Sequence, residues 1–116
     1  MQNLRYVGNN LFVEKLSIKN ILKKNKTPFY IYSESQIVFN FLKFANTFKK
    51  TDPLICFAAK SNSNLNILRV LGKLGAGADV VSGGELLKAL KAGIRPNKIV
   101  FSGVGKTEEE LKIAIN

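Results

Sequence analysis

The sequence predicts an α/β fold with a parallel sheet, and three observations carry that prediction. Short apolar runs of strand length alternate with longer runs in which apolar residues recur at three- and four-residue spacing. Three of the strand-to-helix turns carry one device, a hydroxyl residue with Glu or Gln three places on: Ser33 with Gln36, Ser82 with Glu85, Thr107 with Glu110. Glycines stand where helical patterns stop, at Gly75 and Gly93. Four successive strand-helix units imply parallel strands joined by right-handed crossovers. Periodicity leaves open whether they form an open doubly wound sheet or half of a closed eight-stranded barrel.

From the start of the chain, residues 11–13 read as a short apolar strand and residues 17–24 as a helix, ended by Asn25-Lys26-Thr27-Pro28. After Pro28 the alternation is regular. Residues 29–32 read as a strand, and Ile37, Phe41, Phe44 and Phe48 then share one helical face. Residues 54–59 form the next strand. The helix after it carries Leu65, Leu68 and Leu71 on a stripe and stops at Gly75. Residues 78–81 read as a strand, 84–92 as a helix ended by Gly93 and Pro96, 98–102 as a strand and 107–115 as a helix. This last pattern reaches Asn116 without a stop signal, so truncation of a longer protein is expected.

The 116 residues suffice for one domain, and 46% hydrophobic content suffices for a core. No apolar run approaches the roughly 20 residues that span a bilayer, and residues 1–10 are too polar for a signal peptide, which points to the cytoplasm. One cysteine, Cys56, and no histidine exclude a disulfide framework and a Cys/His metal site within the sequence. Net charge is +10, but the lysines are scattered and Arg5, Arg69 and Arg95 lie far apart. The densest basic cluster, residues 15–26, holds no aromatic on which a base could stack. Neither nucleic acid nor a membrane surface is therefore the expected partner.

The chemistry centres on Cys56-Phe57-Ala58-Ala59-Lys60-Ser61-Asn62-Ser63-Asn64, where an apolar strand ends in a lysine and four small polar residues. Strand alternation puts Cys56, Ala58 and Lys60 on one face, and the small neighbours leave room for a bound group. An ammonium in an apolar pocket is pushed toward its neutral form, and the free amine attacks a carbonyl to give a Schiff base. Ligands bind at the C-terminal ends of parallel strands in this architecture. Asp79, set among Gly77, Ala78, Val80 and Val81, is expected to be buried and to need a partner, for which Lys60 is the candidate. Glu85 is explained by its capping-box position. Gly103-Val104-Gly105-Lys106-Thr107 lacks the first glycine of a phosphate loop, because Val100 stands there. Gly75 and Gly77 precede a strand, so they make no dinucleotide fingerprint.

Thr27-Pro28-Phe29-Tyr30-Ile31-Tyr32-Ser33-Glu34, the Lys60 segment, Gly77-Ala78-Asp79-Val80-Val81-Ser82-Gly83-Gly84-Glu85-Leu86 and Ile99-Val100-Phe101-Ser102-Gly103-Val104-Gly105-Lys106-Thr107 follow one another in an order and spacing that resemble one family. It is the diaminopimelate decarboxylase family, barrel-type, alanine-racemase-like enzymes that use pyridoxal 5'-phosphate. The resemblance runs from about Leu11 to the last residue. It implies that residues 28–116 are the first half of a (β/α)8 TIM barrel binding pyridoxal phosphate, and that residues 1–27 are a lead-in that packs with a later β domain. Lys60 would carry the cofactor as a Schiff base, Asp79 would lie near cofactor and lysine, and Glu85 has the weakest claim to the site. The implied reaction converts meso-diaminopimelate to L-lysine and carbon dioxide in a cytoplasmic enzyme, a homodimer at full length, with no nucleic-acid or membrane partner.

Phe57, Ala59 and Ser61 depart from the family's usual Tyr, Val and Ala without removing the amine. The family's later histidine, glycine-rich phosphate grip, acidic partner of the pyridine nitrogen and cysteine acid have no counterpart here, so an amino-terminal fragment without activity of its own is expected. The same barrel also serves decarboxylases of the ornithine and arginine type and non-enzymatic pyridoxal-phosphate carriers. The run from Asp79 through Glu85 favours diaminopimelate.

Overall fold

The computed structural model describes residues 3–115, and the chain divides after Asn40 into two compact units. Met1, Gln2 and Asn116, the ends of the expected lead-in and of the expected last helix, lie outside the described residues.

In the first unit a three-stranded antiparallel sheet runs β1 (Leu4–Val7), β2 (Asn10–Val13) and β3 (Leu16–Ser17) in that order. Periodicity predicts only β2. All four residues of β1 are exposed, so no alternation of apolar and polar side chains marks that strand. Two-residue turns join the strands: Val7 pairs with Asn10, and Val13 with Leu16 across Glu14, which sits at φ 53°. Helix α1 (Ile18–Leu22) opens on Ser17, whose hydroxyl accepts from the Asn20 N–H at 3.2 Å. It is shorter than predicted because Asn25 Nδ2 donates to the Ile21 carbonyl at 3.0 Å and closes the last turn.

The predicted strand at residues 29–32 is a correction. No strand pairs with it among the described residues, and Tyr30 and Tyr32 stand 90% and 56% exposed. Aromatic and β-branched side chains favour extended backbone, but a ladder needs a neighbour. Helix α2 (Glu34–Thr47) comes next and spans the division between the units. Ser33 Oγ accepts from the Gln36 N–H at 3.1 Å, but the Gln36 side chain donates to Asn40 Oδ1 instead of completing the capping box. The acceptor at this helix start is Glu14, whose Oε1 takes the Ser33 hydroxyl at 2.6 Å, the Ser35 N–H at 3.0 Å and the Ser35 hydroxyl at 2.9 Å.

The second unit holds a parallel sheet, β4 (Cys56–Ala58), β5 (Gly77–Val80) and β6 (Ile99–Phe101), in sequential order. Helix α3 (Leu65–Lys73) joins β4 to β5, α4 (Gly83–Lys91) joins β5 to β6, and α5 (Glu108–Ile115) follows β6. Three of the four expected strands are therefore paired in parallel. The core lies on the sheet face that carries Ala78 and Val80, both 0% exposed, against Leu68, Leu86, Ala89 and Ile94, with Phe57, Ile99 and Phe101 packed beside them. Leu68 and Leu71 of the predicted α3 stripe are buried. The helix stops at Gly75, φ 92°, where the Ala76 N–H donates to the Leu71 carbonyl at 3.1 Å and the Gly75 N–H to the Gly72 carbonyl at 3.0 Å. This is a Schellman end, and it needs a residue free to adopt left-handed backbone. Helix α4 repeats it at Gly93, and each end delivers a buried apolar residue, Ala76 or Ile94, to the core.

Register fixes the other face. Cys56 lies opposite Gly77, Ala58 opposite Asp79, and Asp79 opposite Val100. These residues alternate with the core positions and so point away from the helices that cover the core.

Candidate functional site

Strand β4 ends at Ala58, and Ala59, Lys60 and Ser61 form one 3-10 turn at the C-terminal end of the sheet. The Asn62 N–H donates to the Ala59 carbonyl at 3.1 Å and the Ser61 hydroxyl to the Ala58 carbonyl at 2.7 Å. These bonds stop the strand before the lysine, because small polar side chains offer the backbone a turn in place of a ladder. The strand is therefore shorter than predicted: Ala59 is 0% exposed and enters the core beside Phe57, as alternation predicts, while Lys60 is exposed on the sheet rim and not held in an apolar pocket. Asn62 and Asn64 then lead the chain into α3. Asn62 Oδ1 accepts from the Asn64 N–H at 3.1 Å, and Asn64 caps α3 by accepting from the Asn66 N–H at 2.9 Å.

Asp79 is half-buried, less enclosed than predicted. Its partner is not Lys60, with which it makes no ion pair among the described residues. Instead the Ser102 hydroxyl donates to Asp79 Oδ1. Ser102 lies two residues past Val100, which is the register partner of Asp79, and the Ser102 N–H donates to the Val80 carbonyl at 2.9 Å, so it continues the β5–β6 ladder by one step. The sequence carries a signal for this pair: alternation through 98–102 puts Val100 and Ser102 on one face. On the same face the Cys56 thiol is pushed up by burial and further by the charge of Asp79.

Glu85 has the capping role its position predicts, displaced by one residue. Its N–H donates to Ser82 Oγ at 3.3 Å, while its Oε2 accepts from the Val81 N–H at 2.9 Å. Thr107 and Glu110 complete a reciprocal box, with Glu110 N–H to Thr107 Oγ1 at 3.2 Å and Thr107 N–H to Glu110 Oε2 at 3.0 Å. The same carboxylate reaches the Gly83 N–H at 2.7 Å through Oε1. These hydrogen bonds hold the Glu110 carboxyl below the usual carboxylate range. The first unit contains a groove of about 750 Å³ lined by residues that include Arg5, Glu14, Ile31 and Tyr32. It holds none of Lys60, Asp79 and Ser102.

No helix among the described residues is long and apolar enough to cross a membrane, and no group of three or more Cys, Asp or Glu is placed to hold a metal ion.

Residues 34–116 match the model of the pyridoxal-dependent decarboxylases, pyridoxal binding domain. A diaminopimelate decarboxylase of Pseudomonas fluorescens is 46% identical over 99% of this chain, which covers 28% of that protein. A crystal structure of an Aquifex aeolicus protein matches with a TM-score of 0.91 and 48% identity, over 97% of this chain and 28% of that one. The diaminopimelate decarboxylase of M. jannaschii in complex with L-lysine matches with a TM-score of 0.91 and 37% identity, over 98% and 28%. The chain thus spans about a quarter of the length of these relatives, and its parallel strand-helix units form part of the cofactor-binding barrel, which the alternation of strands and helices alone leaves undecided. By the match over residues 34–116, the chain belongs to the pyridoxal-dependent decarboxylase family, in its pyridoxal-binding domain.

Proposed function

We propose that the protein carrying this chain is a pyridoxal-phosphate carboxy-lyase that converts meso-2,6-diaminopimelate to L-lysine and carbon dioxide. The observation that carries the proposal is the place of Lys60, on the turn directly past β4, at the end of a sheet face lined by Cys56, Ala58, Gly77 and Asp79. The substrate follows from the relatives named diaminopimelate decarboxylase at 46% and 48% identity.

The residues fit the cofactor. A primary amine stands exposed on the rim, the neighbouring Ala58 on the same face is small, and a carboxylate lies one strand away. Bound pyridoxal phosphate supplies the electron sink for the pair left when the substrate carboxylate departs. Lys60 would hold the cofactor through Nζ and release it to the substrate amine. Asp79 would favour positive charge beside that nitrogen. Glu85 serves the start of α4 and not the chemistry. Gly83 donates its N–H to Glu110, so that N–H at the start of α4 is already taken and the phosphate grip belongs elsewhere in the protein. In this reading residues 1–27 are the lead-in to a β domain, residues 28–116 are the first half of the barrel, and the whole enzyme is a cytoplasmic homodimer.

The test uses the full-length protein, incubated with pyridoxal phosphate, reduced with borohydride and mapped by peptide mass. A stable pyridoxyl label on Lys60, with release of lysine and carbon dioxide from meso-diaminopimelate, is expected, and Lys60→Ala should lose both. Lysine production retained in Lys60→Ala would overturn the proposal, and faster turnover of ornithine or arginine would reassign the substrate.

A further inference from the structure

The Asp79 carboxylate has one hydrogen-bond donor among the described residues, the Ser102 hydroxyl on Oδ1. A carboxylate on a strand end turns freely about its last torsion, and a single charge-assisted hydrogen bond is enough to select one orientation. The donor here is itself held at two levels. Its backbone N–H is tied to the Val80 carbonyl at 2.9 Å, which fixes it to the same strand that carries Asp79. The loop beyond it is closed as well: the Lys106 ammonium donates to the Gly103 carbonyl, and Glu110 ties Thr107 to Gly83. Two polar bridges therefore tie this end of the sheet together, Asp79 of β5 with Ser102 just past β6, and Gly83 at the start of α4 with Glu110 of α5.

We infer that Ser102 is a positioning residue, whose hydroxyl holds the Asp79 carboxylate in one orientation on the open sheet face and leaves Oδ2 free for the group bound at Lys60. The inference rests on the proposed function for the identity of that group, and on the geometry alone for the hydrogen bond. Removing the hydroxyl frees the carboxylate to swing toward water and takes its charge away from Cys56. Cys56 is thus a reporter that needs no cofactor, because the charge of Asp79 and burial together keep its thiol protonated to higher pH.

The experiment compares wild type, Ser102→Ala, Ser102→Thr and Asp79→Asn in the full-length protein. Alkylation of Cys56 by iodoacetamide is followed against pH on the Cys56 peptide, and kcat and KM are measured with meso-diaminopimelate. Asp79→Asn should move the alkylation midpoint to lower pH, Ser102→Ala should move it the same way, and Ser102→Thr should leave it at the wild-type value. Turnover in Ser102→Ala should fall about tenfold in kcat with KM little changed, and recover in Ser102→Thr. A Ser102→Ala midpoint at the wild-type value while Asp79→Asn moves would overturn the inference. So would a loss in Ser102→Thr equal to that in Ser102→Ala. A shifted midpoint in Ser102→Ala with full turnover in Asp79→Asn would instead overturn the assignment of Asp79 to the site and uphold the positioning of its carboxylate.

Discussion

Glu110 caps two helices at once: Oε1 accepts from the Gly83 N–H at 2.7 Å at the start of α4, and Oε2 from the Thr107 N–H at 3.0 Å ahead of α5. Helix starts leave backbone N–H groups without partners, and a carboxylate there also meets the positive end of the helix dipole. Glu110→Ala should therefore loosen both turns, and Glu110→Gln should loosen them less. Amide hydrogen exchange at Gly83 and Thr107 in the full-length protein checks this. Faster exchange at Thr107 alone would mean that the bond to Gly83 contributes nothing.

Glu14 and Glu110 predict a common pH dependence. The Ser33 hydroxyl and the Ser35 N–H hold Glu14 below the usual carboxylate range, as the Gly83 and Thr107 N–H groups hold Glu110. A carboxyl with a lowered folded value binds fewer protons folded than unfolded, so its stabilisation is complete above the ordinary value of about 4.3 and is lost as pH falls through the folded value. Urea midpoints of wild type and of Glu14→Ala and Glu110→Ala should thus differ at pH 7 and converge as pH falls below the lowered folded values. A gap that persists in acid would assign the effect to packing.

Much of this candidate site was legible in the sequence, and the failures have two causes. The capping pairs predicted where helices begin, because a hydroxyl and a carboxylate three residues apart act locally. The buried face of α3 followed from spacing. Lys60 was correctly placed at a strand end, but its exposure was not legible, because Ser61 and Asn62 bend the chain through hydrogen bonds that compete with the strand pattern. Partners far apart in sequence were hidden for a different reason. Glu14 with Ser33, Asp79 with Ser102 and Gly83 with Glu110 are set by which elements become neighbours, and strand β1 lacked any one-sided pattern to betray it.

Leu68 tests the core that holds the sheet in place. It is 0% exposed and belongs to one cluster with Ala78, Val80, Leu86 and Ile94. Leu68→Ala should cost about 3 kcal/mol, combining lost burial with the cavity left behind. Leu87→Ala, on the same layer of helices but 54% exposed, should stay within about 0.5 kcal/mol. Denaturant titration of both variants separates a packed core from a merely apolar one.

Gly77 is the point where the three parallel strands leave no room for a side chain. A Cβ built there lands on the Lys98 carbonyl oxygen and 2.7 Å from Cys56 Sγ. The first obstacle is backbone, in the 3-10 turn directly before β6, so it cannot step aside as a flexible side chain would. Gly77 also donates its N–H to the Ile55 carbonyl at 2.9 Å, which pins it on the side of β4. Gly77→Ala must therefore push β4 or β6 away from β5, at a cost of about 1–3 kcal/mol for overpacking. The displacement starts one turn of alternation below Asp79 and should pass along β5 to its bond with Ser102. The expected result is a lowered denaturation midpoint together with a Cys56 alkylation profile that moves from wild type. Adding Cys56→Ala to Gly77→Ala should restore little stability, because the sulfur is the lesser obstacle. Full recovery in that double variant would show that the thiol, and not the Lys98 carbonyl, sets the limit at this position.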